Sequence, residues 1–356
     1  LFVNKNPARG GEEAMMKKIL LAFCCAAFVL MSASAYAEIV LKLQTSTQSG
    51  AYEFKYINEE WGKRLKAMTG GELVTEFYPI NAIVDRAETP EAVMAGVLGG
   101  DLTAVSYFSG RNPAFAILGD LIAGYDTVDQ VQTFCRYGGG RDALQDLWDA
   151  ILPGALHVVG CGAVAKEALV AKVPIEGVDG FKGVKVRSPG GLAATVFKAA
   201  GAAPVSMSLS DVFTSLEKGV IDAADASAYI NNTTSGFHQI AKYPIYPGIH
   251  SMAVRQFTIN KGIWDSLTDD QKLTLETWFY AAYDDVRRQL DLQDKAQVSK
   301  DKAEGDITVV DWPQEERDKF RVLATQAWEE TAGKSPEARA ALDAHYEYMK
   351  TIGLLE

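Results

Sequence analysis

The sequence predicts an α/β fold in which two domains form a hinged clamshell around a cleft and one long helix braces both. Three observations predict it. Short apolar strands alternate with amphipathic helices from Glu38 to Tyr107 and again from Val184 to Asp225. Their connections are too long for hairpins, which implies parallel strands with helices on the sheet faces. The chain crosses into the second run near Gly160–Ala165, and residues 242–260 read as extended segments that return. Finally, Leu275, Phe279, Ala282, Val286 and Leu290 form an apolar stripe in a helix extending to about Lys302, far longer than the usual three or four turns.

Each element has its own signal. Glu38–Thr45 is a strand with Leu41 and Leu43 alternating against Lys42 and Gln44. Ala51–Met68 is a helix, since Phe54, Ile57, Trp61, Leu65 and Met68 recur at three or four residues before Gly70-Gly71. Leu73–Tyr78 is the second strand. Thr89-Pro90-Glu91 opens a helix as cap, proline and acid, and Leu102–Tyr107 is the third strand. Residues 108–125 read as irregular and apolar. Helices follow at Val128–Tyr137 and Ala143–Ala150, separated by Gly138-Gly139-Gly140. That triplet lacks the Lys-Ser/Thr of a phosphate loop and reads as a turn. Leu156–Cys161 and Ala168–Val173 are strands. The second domain then reads strand 184–187, helix 190–200, strand 203–206, helix 209–218, strand 220–225, with Ser208 capping the second helix and Asp211 three residues on. Thr268-Asp269-Asp270-Gln271 is a capping box for the long helix. Ile307–Val310 reads as a short strand before two terminal helices.

Residues 1–37 read as a leader and cleaved signal peptide. Met16-Lys17-Lys18 is the positive region, Ile19–Met31 an apolar run too short to span a bilayer, and Ala35-Tyr36-Ala37 a small-x-small cleavage site. Residues 1–14 read as upstream of the true start. The expected product is periplasmic, with no direct membrane insertion after cleavage, because no later stretch reaches 18 apolar residues. The net charge is −11, and cleavage removes four basic and two acidic residues, so the product is more acidic still. With no basic run anywhere, nucleic acid is excluded as a partner. Residues 38–163 are then the first part of domain I and 164–250 domain II. Residues 251–356 return to domain I with the long helix and the C-terminal helices. Cys135 and Cys161 survive cleavage, and a disulfide and two buried thiols are both open readings. CxxC, GxSxG, HExxH and dinucleotide-binding motifs are absent, and His157, His238, His250 and His345 are scattered. The sequence therefore carries no zinc-site spacing and no enzyme motif.

The ligand site is read from two strand ends. Arg187 closes Val184–Arg187 before Ser188-Pro189, and Asp225 closes another strand. A guanidinium and a carboxylate then share one rim of an open α/β sheet, where such sheets bind ligands. As a rim residue, Arg187 is expected to be replaceable without loss of the fold.

Three motifs carry a resemblance: Tyr107-Phe108-Ser109-Gly110-Arg111-Asn112-Pro113-Ala114-Phe115, Phe181-Lys182-Gly183-Val184-Lys185-Val186-Arg187, and Gly219-Val220-Ile221-Asp222-Ala223-Ala224-Asp225. Over nearly its whole mature length the chain resembles the periplasmic solute-binding proteins of TRAP transporters, closest to the branch for 2-oxo acids, lactate and related carboxylates. The resemblance implies a periplasmic-binding-protein clamshell that captures a small carboxylate and docks on a sodium-coupled TRAP membrane permease. It implies that Arg187 holds the carboxylate and that Tyr107, with Phe108 beside it, lines the cleft. Asp225 would help hold a sodium or calcium ion in the metal-dependent branch, although no cofactor is required. That branch also uses a glutamine, near whose place this chain has Lys166-Glu167. The Lys166 ammonium is then expected to take the charge role of the cation. Asn231, Asn232 and His250 are further candidates. Competing readings make Tyr107 and Phe108 core aromatics, Asp225 a cap and Lys166 a solvated lysine. At the level of function, the alternatives are a ligand-sensing periplasmic receptor for a membrane partner and a secreted enzyme acting on a small acid.

Overall fold

The computed structural model describes residues 38–249 and 251–355. The leader and signal peptide, and His250, lie outside the described residues. The chain separates into Leu1–Ile39 and one compact unit, Val40–Glu356, and the unit described below is the second.

Among the described residues nine strands build two sheets. They are β1 (Ile39–Thr45), β2 (Leu73–Tyr78), β3 (Gly100–Ala104), β4 (Leu156–Gly162), β5 (Ala168–Ala171), β6 (Lys185–Ser188), β7 (Ala203–Ser206), β8 (Ala223–Ser227) and β9 (Arg255–Asn260). One sheet has the order β2-β1-β3-β9-β4 and the other β5-β8-β6-β7. The α/β class is as expected, and parallel pairing holds for β1 with β3 and for β6 with β7 and β8. It fails at β9, which is antiparallel to β3 and β4, and at β5, antiparallel to β8. The register explains β9. The chain leaves the first sheet at Gly162 and returns at Arg255, and these two residues are partners. A strand that re-enters a sheet at the end where the chain left must run the opposite way.

Several local expectations need correction. Residues 108–125 contain a helix, Ala114–Gly119, all of whose residues are buried. With no polar face it has no periodicity to read. The third strand stops at Ala104, and Val105–Phe108 is a 3-10 turn. The strand expected at 220–225 starts three residues later, at Ala223. Thr89 is not a cap; it is the first helical residue, and its hydroxyl donates to Asp101 Oδ2 at 2.6 Å. Ser208 accepts from Ser210 N within a 3-10 turn, with no reciprocal bond from Asp211. Of Ile307–Val310, only Val310 makes a bridge, to Ile245. Cys135 and Cys161 are free and buried. Burial pushes the Cys161 thiol well above its ordinary value, and its hydrogen bond with Cys135 adds to this.

The long helix runs Asp269–Glu304, and the Thr268/Gln271 capping box is formed. Its stripe of Leu275, Phe279, Ala282, Val286 and Leu290 is buried. On the first-sheet side Trp278 Nε1 donates to Trp61 O at 2.8 Å. Asp285 there accepts from Tyr56 Oη at 2.8 Å and Trp61 Nε1 at 2.9 Å. Further along the same helix, Asp294 accepts from Ile230 N at 2.7 Å, and Asp301 from Tyr229 Oη at 2.6 Å. Tyr229 and Ile230 begin the helix Tyr229–Thr234 that follows β8. One helix thus grips elements belonging to both sheets. No described helix is long and apolar enough to cross a membrane.

Candidate functional site

The ends of β3, β6, β8 and β9 surround a cleft enclosing about 470 Å³ of empty space, open solvent at its mouth included. Its walls include Ser46, Thr47, Ser106, Tyr107, Asp120, Glu167, Arg187, Ser227 and Arg255.

Arg187 is only 2% exposed. Parallel pairing puts it beside Ala224 of β8 and Val205 of β7, so carbonyls from both neighbouring chain segments come within reach. Nη1 donates to Asp225 O at 2.5 Å and Nε to Met207 O at 3.2 Å. Nη2 has no protein partner among the described residues. The fork is therefore locked on two sides and free on the third.

A second arginine reaches the cleft from the first residue of β9. Arg255 pairs with Glu53 through Nη1–Oε1 and through Nη2–Oε2 at 3.1 Å. Glu53 is 1% exposed, and Asn231 holds it reciprocally: Glu53 N donates to Asn231 Oδ1 at 3.0 Å, and Asn231 Nδ2 donates to Glu53 Oε2 at 3.1 Å. Burial lowers the Arg255 guanidinium below its ordinary value and is the main reason the Tyr283 phenol beside it rises to about 12. The charge of Arg255 is already matched.

Behind Arg187 three carboxyl groups meet one hydroxyl. Ser251 Oγ lies 2.6 Å from Asp120 Oδ2, 3.3 Å from Asp225 Oδ2 and 3.4 Å from Glu167 Oε2. The other Asp120 oxygen accepts from Met252 N at 3.2 Å, whereas Asp225 Oδ1 is buried with no partner among the described residues. Burial pushes Asp120 up to about 7 and Asp225 up to about 6, with Arg187 opposing the rise at Asp225. Glu167 is raised well above the carboxylate range, first by burial and then by its two acidic neighbours. Gly248 makes this convergence possible: a Cβ there would sit 1.7 Å from Glu167 O, so only glycine lets the two segments approach.

The titration has a definite sign. Asp120 at about 7 in the folded protein, against 3.8 in an unfolded chain, binds a proton that the unfolded chain lacks between those values. Its contribution to stability is present below pH 4 and is lost as pH rises through 7. Asp120→Asn should therefore show a thermal midpoint that gains on wild type as pH is raised from 5 to 8. A difference independent of pH would contradict the burial argument.

The structure sorts the residues proposed from sequence. Arg187 and Tyr107 line the cleft, and Arg86 stacks on the Tyr107 ring at 4.5 Å. Asp225 is fully buried and meets cleft residues through Ser251. Phe108 does not face the cleft; it is fully buried, 5.7 Å from Phe115 and 5.1 Å from Trp148. The tight turn after Ala104 sends Tyr107 and Phe108 to opposite sides. Lys166 also points elsewhere, donating to Asp126 O at 2.8 Å. Neighbouring residues of an extended segment project oppositely, so it is Glu167 that reaches the cleft. Asn231 and Asn232 are buried and bonded to protein, Asn231 as a positioning residue for Glu53. Sequence reasoning missed Ser106, Asp120, Ser251, Arg255 and Glu53. Ser106 alone had a signal, being adjacent to the Tyr107 motif; it lines the cleft, and its hydroxyl is buried without a partner among the described residues.

Among the described residues no group of three or more His, Cys, Asp or Glu is arranged to hold an ion. The Ser251 hydroxyl stands at the point that the three carboxyl groups share.

Two sheets around a cleft are the architecture of a small-molecule binding protein, and the comparisons agree. Residues 43–335 match the model of bacterial extracellular solute-binding protein, family 7. The chain belongs to that family, whose members are the solute-binding proteins of TRAP transporters. It is 39% identical to a TRAP periplasmic solute-binding protein from Rhodobacter sphaeroides in an apo open structure, with a TM-score of 0.71 over 89% of this chain and 99% of that one. It is 24% identical to a monocarboxylate 2-oxoacid-binding periplasmic protein of Nostoc sp., over 83% of this chain and 79% of that protein. A TRAP protein from Pseudoalteromonas atlantica with bound sodium and pyruvate shares the fold, at 21% identity and a TM-score of 0.76 over 89% of this chain and 95% of that one. Proteins of this family bind small molecules and work with membrane permeases; they are not enzymes.

Proposed function

We propose that this chain is exported to the periplasm, captures a small organic carboxylate of the 2-oxo or 2-hydroxy acid type on Arg187, and delivers it to a sodium-coupled TRAP permease. The observation that carries this reading is the Arg187 fork, fixed by two carbonyls on a cleft wall, with Nη2 left without a protein partner among the described residues. A planar fork is the best match for a carboxylate. Tyr107, Ser106 and Arg255 line the same space. The segment 164–250, carrying the second sheet, acts as domain II and closes against the rest about the crossings at residues 163–167 and 251–254.

A thermal-shift screen of small carboxylates tests capture, since a ligand stabilises by RT ln(1 + [L]/Kd). A hit should bind with one-to-one stoichiometry and be recovered unchanged; turnover would favour the enzyme alternative. Saturating ligand should shrink the radius of gyration in solution scattering, and an unchanged radius with proven binding would remove the hinge. Binding should also survive EDTA. Affinity lost on chelation and restored by Na⁺ or Ca²⁺ would instead give Asp225 a metal-binding role.

A further inference from the structure

The two sheets are joined along one pair of edges by the chain and along the other pair by a loop. The first sheet has β2 and β4 as its edges, and the second has β5 and β7. The crossing at residues 163–167 joins β4 to β5. The loop 79–88 leaves β2 and reaches the turn that follows β7, where Asn81 Nδ2 donates to Ser208 Oγ at 3.0 Å. Ile80 is 7% exposed and sits in an apolar cluster with Leu209, Val170 of β5, and Ala224 and Ala226 of β8. Among the described residues every other buried member of that cluster lies in the segment 164–250. The loop is equally tied to the first sheet. Gln44 of β1 accepts from Ile83 N at 2.8 Å and Val84 N at 3.1 Å, and donates to Val84 O at 2.9 Å. Asn81 has a φ of 61°, a left-handed turn that asparagine tolerates, and its Oδ1 accepts from Arg86 N at 2.9 Å. That turn lays the Arg86 guanidinium on the Tyr107 ring at the cleft wall.

We propose that the loop 79–88 is the latch of the cleft, and that Ile80, seated in the second-sheet cluster, sets ligand affinity without touching the ligand. The proposal rests on the capture and closure reading given above. Ile80 lies outside the cleft walls. A loop held on one side by Gln44 and on the other by Ile80 and Asn81 keeps all its contacts only while the two sheets are together. Opening about residues 163–167 and 251–254 draws the Ile80 side chain out of its apolar seat into water, so the seat favours the closed form. A ligand that needs the closed cleft then binds with an apparent affinity that follows the closed population. Gln48 adds to the same grip, its Nε2 donating to Leu209 O at 2.9 Å. Arg86 ties the latch to the site: its ring partner Tyr107 packs against the Ile80 cluster, and its Nη1 is buried with no partner among the described residues. Ile80 is thus a positioning residue for capture.

Pyruvate and lactate, titrated into wild type, Ile80→Val and Ile80→Ser, test this. Ile80→Ser should bind whichever acid the wild type takes roughly tenfold more weakly or worse, since exposing an isoleucine side chain shifts a balance by about a decade or more. The loss should appear in the dissociation rate, and Ile80→Val should lie between the two. Solution scattering supplies a readout that ordinary packing would not move. Saturated Ile80→Ser should reach the radius of gyration of saturated wild type, because the latch shifts the balance between forms and leaves the closed form itself unchanged. A saturated variant that stays expanded would overturn the proposal, since binding would then not require closure. Affinity within twofold of wild type, with or without a lower thermal midpoint, would make Ile80 a packing residue only and leave capture intact. If neither acid binds the wild-type protein, the capture reading falls and the latch with it.

Discussion

Arg187→Ala should weaken ligand binding by thirty-fold or more and should also lower the thermal midpoint. Removing one partner of a desolvated charge pair costs about 2–5 kcal/mol, and each 1.4 kcal/mol is about one decade in Kd. The second effect reverses what a rim position implies. Arg187 is buried, and its Nη1 and Nε satisfy the carbonyls of Asp225 and Met207. Each buried acceptor left without a donor costs about 1–3 kcal/mol. The substitution also withdraws the guanidinium that opposes charge build-up at Asp225 and Glu167. Arg187→Lys restores a charge but not the fork, so its affinity should lie between alanine and wild type. Calorimetric titration and thermal denaturation of the three proteins read both effects. An alanine variant that binds within threefold of wild type places the anchor elsewhere. One that binds weakly at unchanged stability shows that the two carbonyl bonds contribute little.

The fold was legible wherever one face of an element is wet. The long helix was readable from its stripe and its Thr268/Gln271 box because half of its surface meets water. Ala114–Gly119 was not, because burial on every side erases periodicity. The orientation of β9 was equally hidden: strand residues record which face is buried, not which way the chain enters the sheet.

The site divides in the same way. Arg187 was legible because a charged residue at the end of an apolar strand is a local pattern, and the three family motifs bracket it. Lys166 and Phe108 were misplaced by one residue each, with Glu167 and Tyr107 the neighbours that face the cleft. A one-residue error in an extended or tightly turned segment moves a side chain to the opposite face. The carboxyl cluster was beyond reach for another reason. Asp120, Glu167, Asp225 and Ser251 come from four segments spread over 131 positions, and no spacing rule joins groups brought together only by tertiary folding.

Glu53→Ala should be among the most destabilising single substitutions available in this chain. Glu53 is 1% exposed, and its side chain serves both Arg255 and Asn231. Taking away the carboxylate strands a guanidinium whose side chain is 11% exposed and frees one donor of Asn231 Nδ2. Breaking a buried pair from one side costs on the order of 3–5 kcal/mol, because the remaining charge is left without compensation. Removing both sides is different. Glu53→Ala/Arg255→Ala leaves a small cavity but no unpaired charge, so the double variant should be more stable than Glu53→Ala alone. The comparison is a double-mutant cycle in urea, with Arg255→Ala as the fourth corner and the coupling energy as its result. The pair also ties the two sheets, since Glu53 lies in the helix after β1, Arg255 opens β9, and Asn231 belongs to the helix after β8. The loss should therefore appear as one cooperative shift of the whole transition. Single effects that simply add would show that Arg255 and Glu53 are neighbours without being partners.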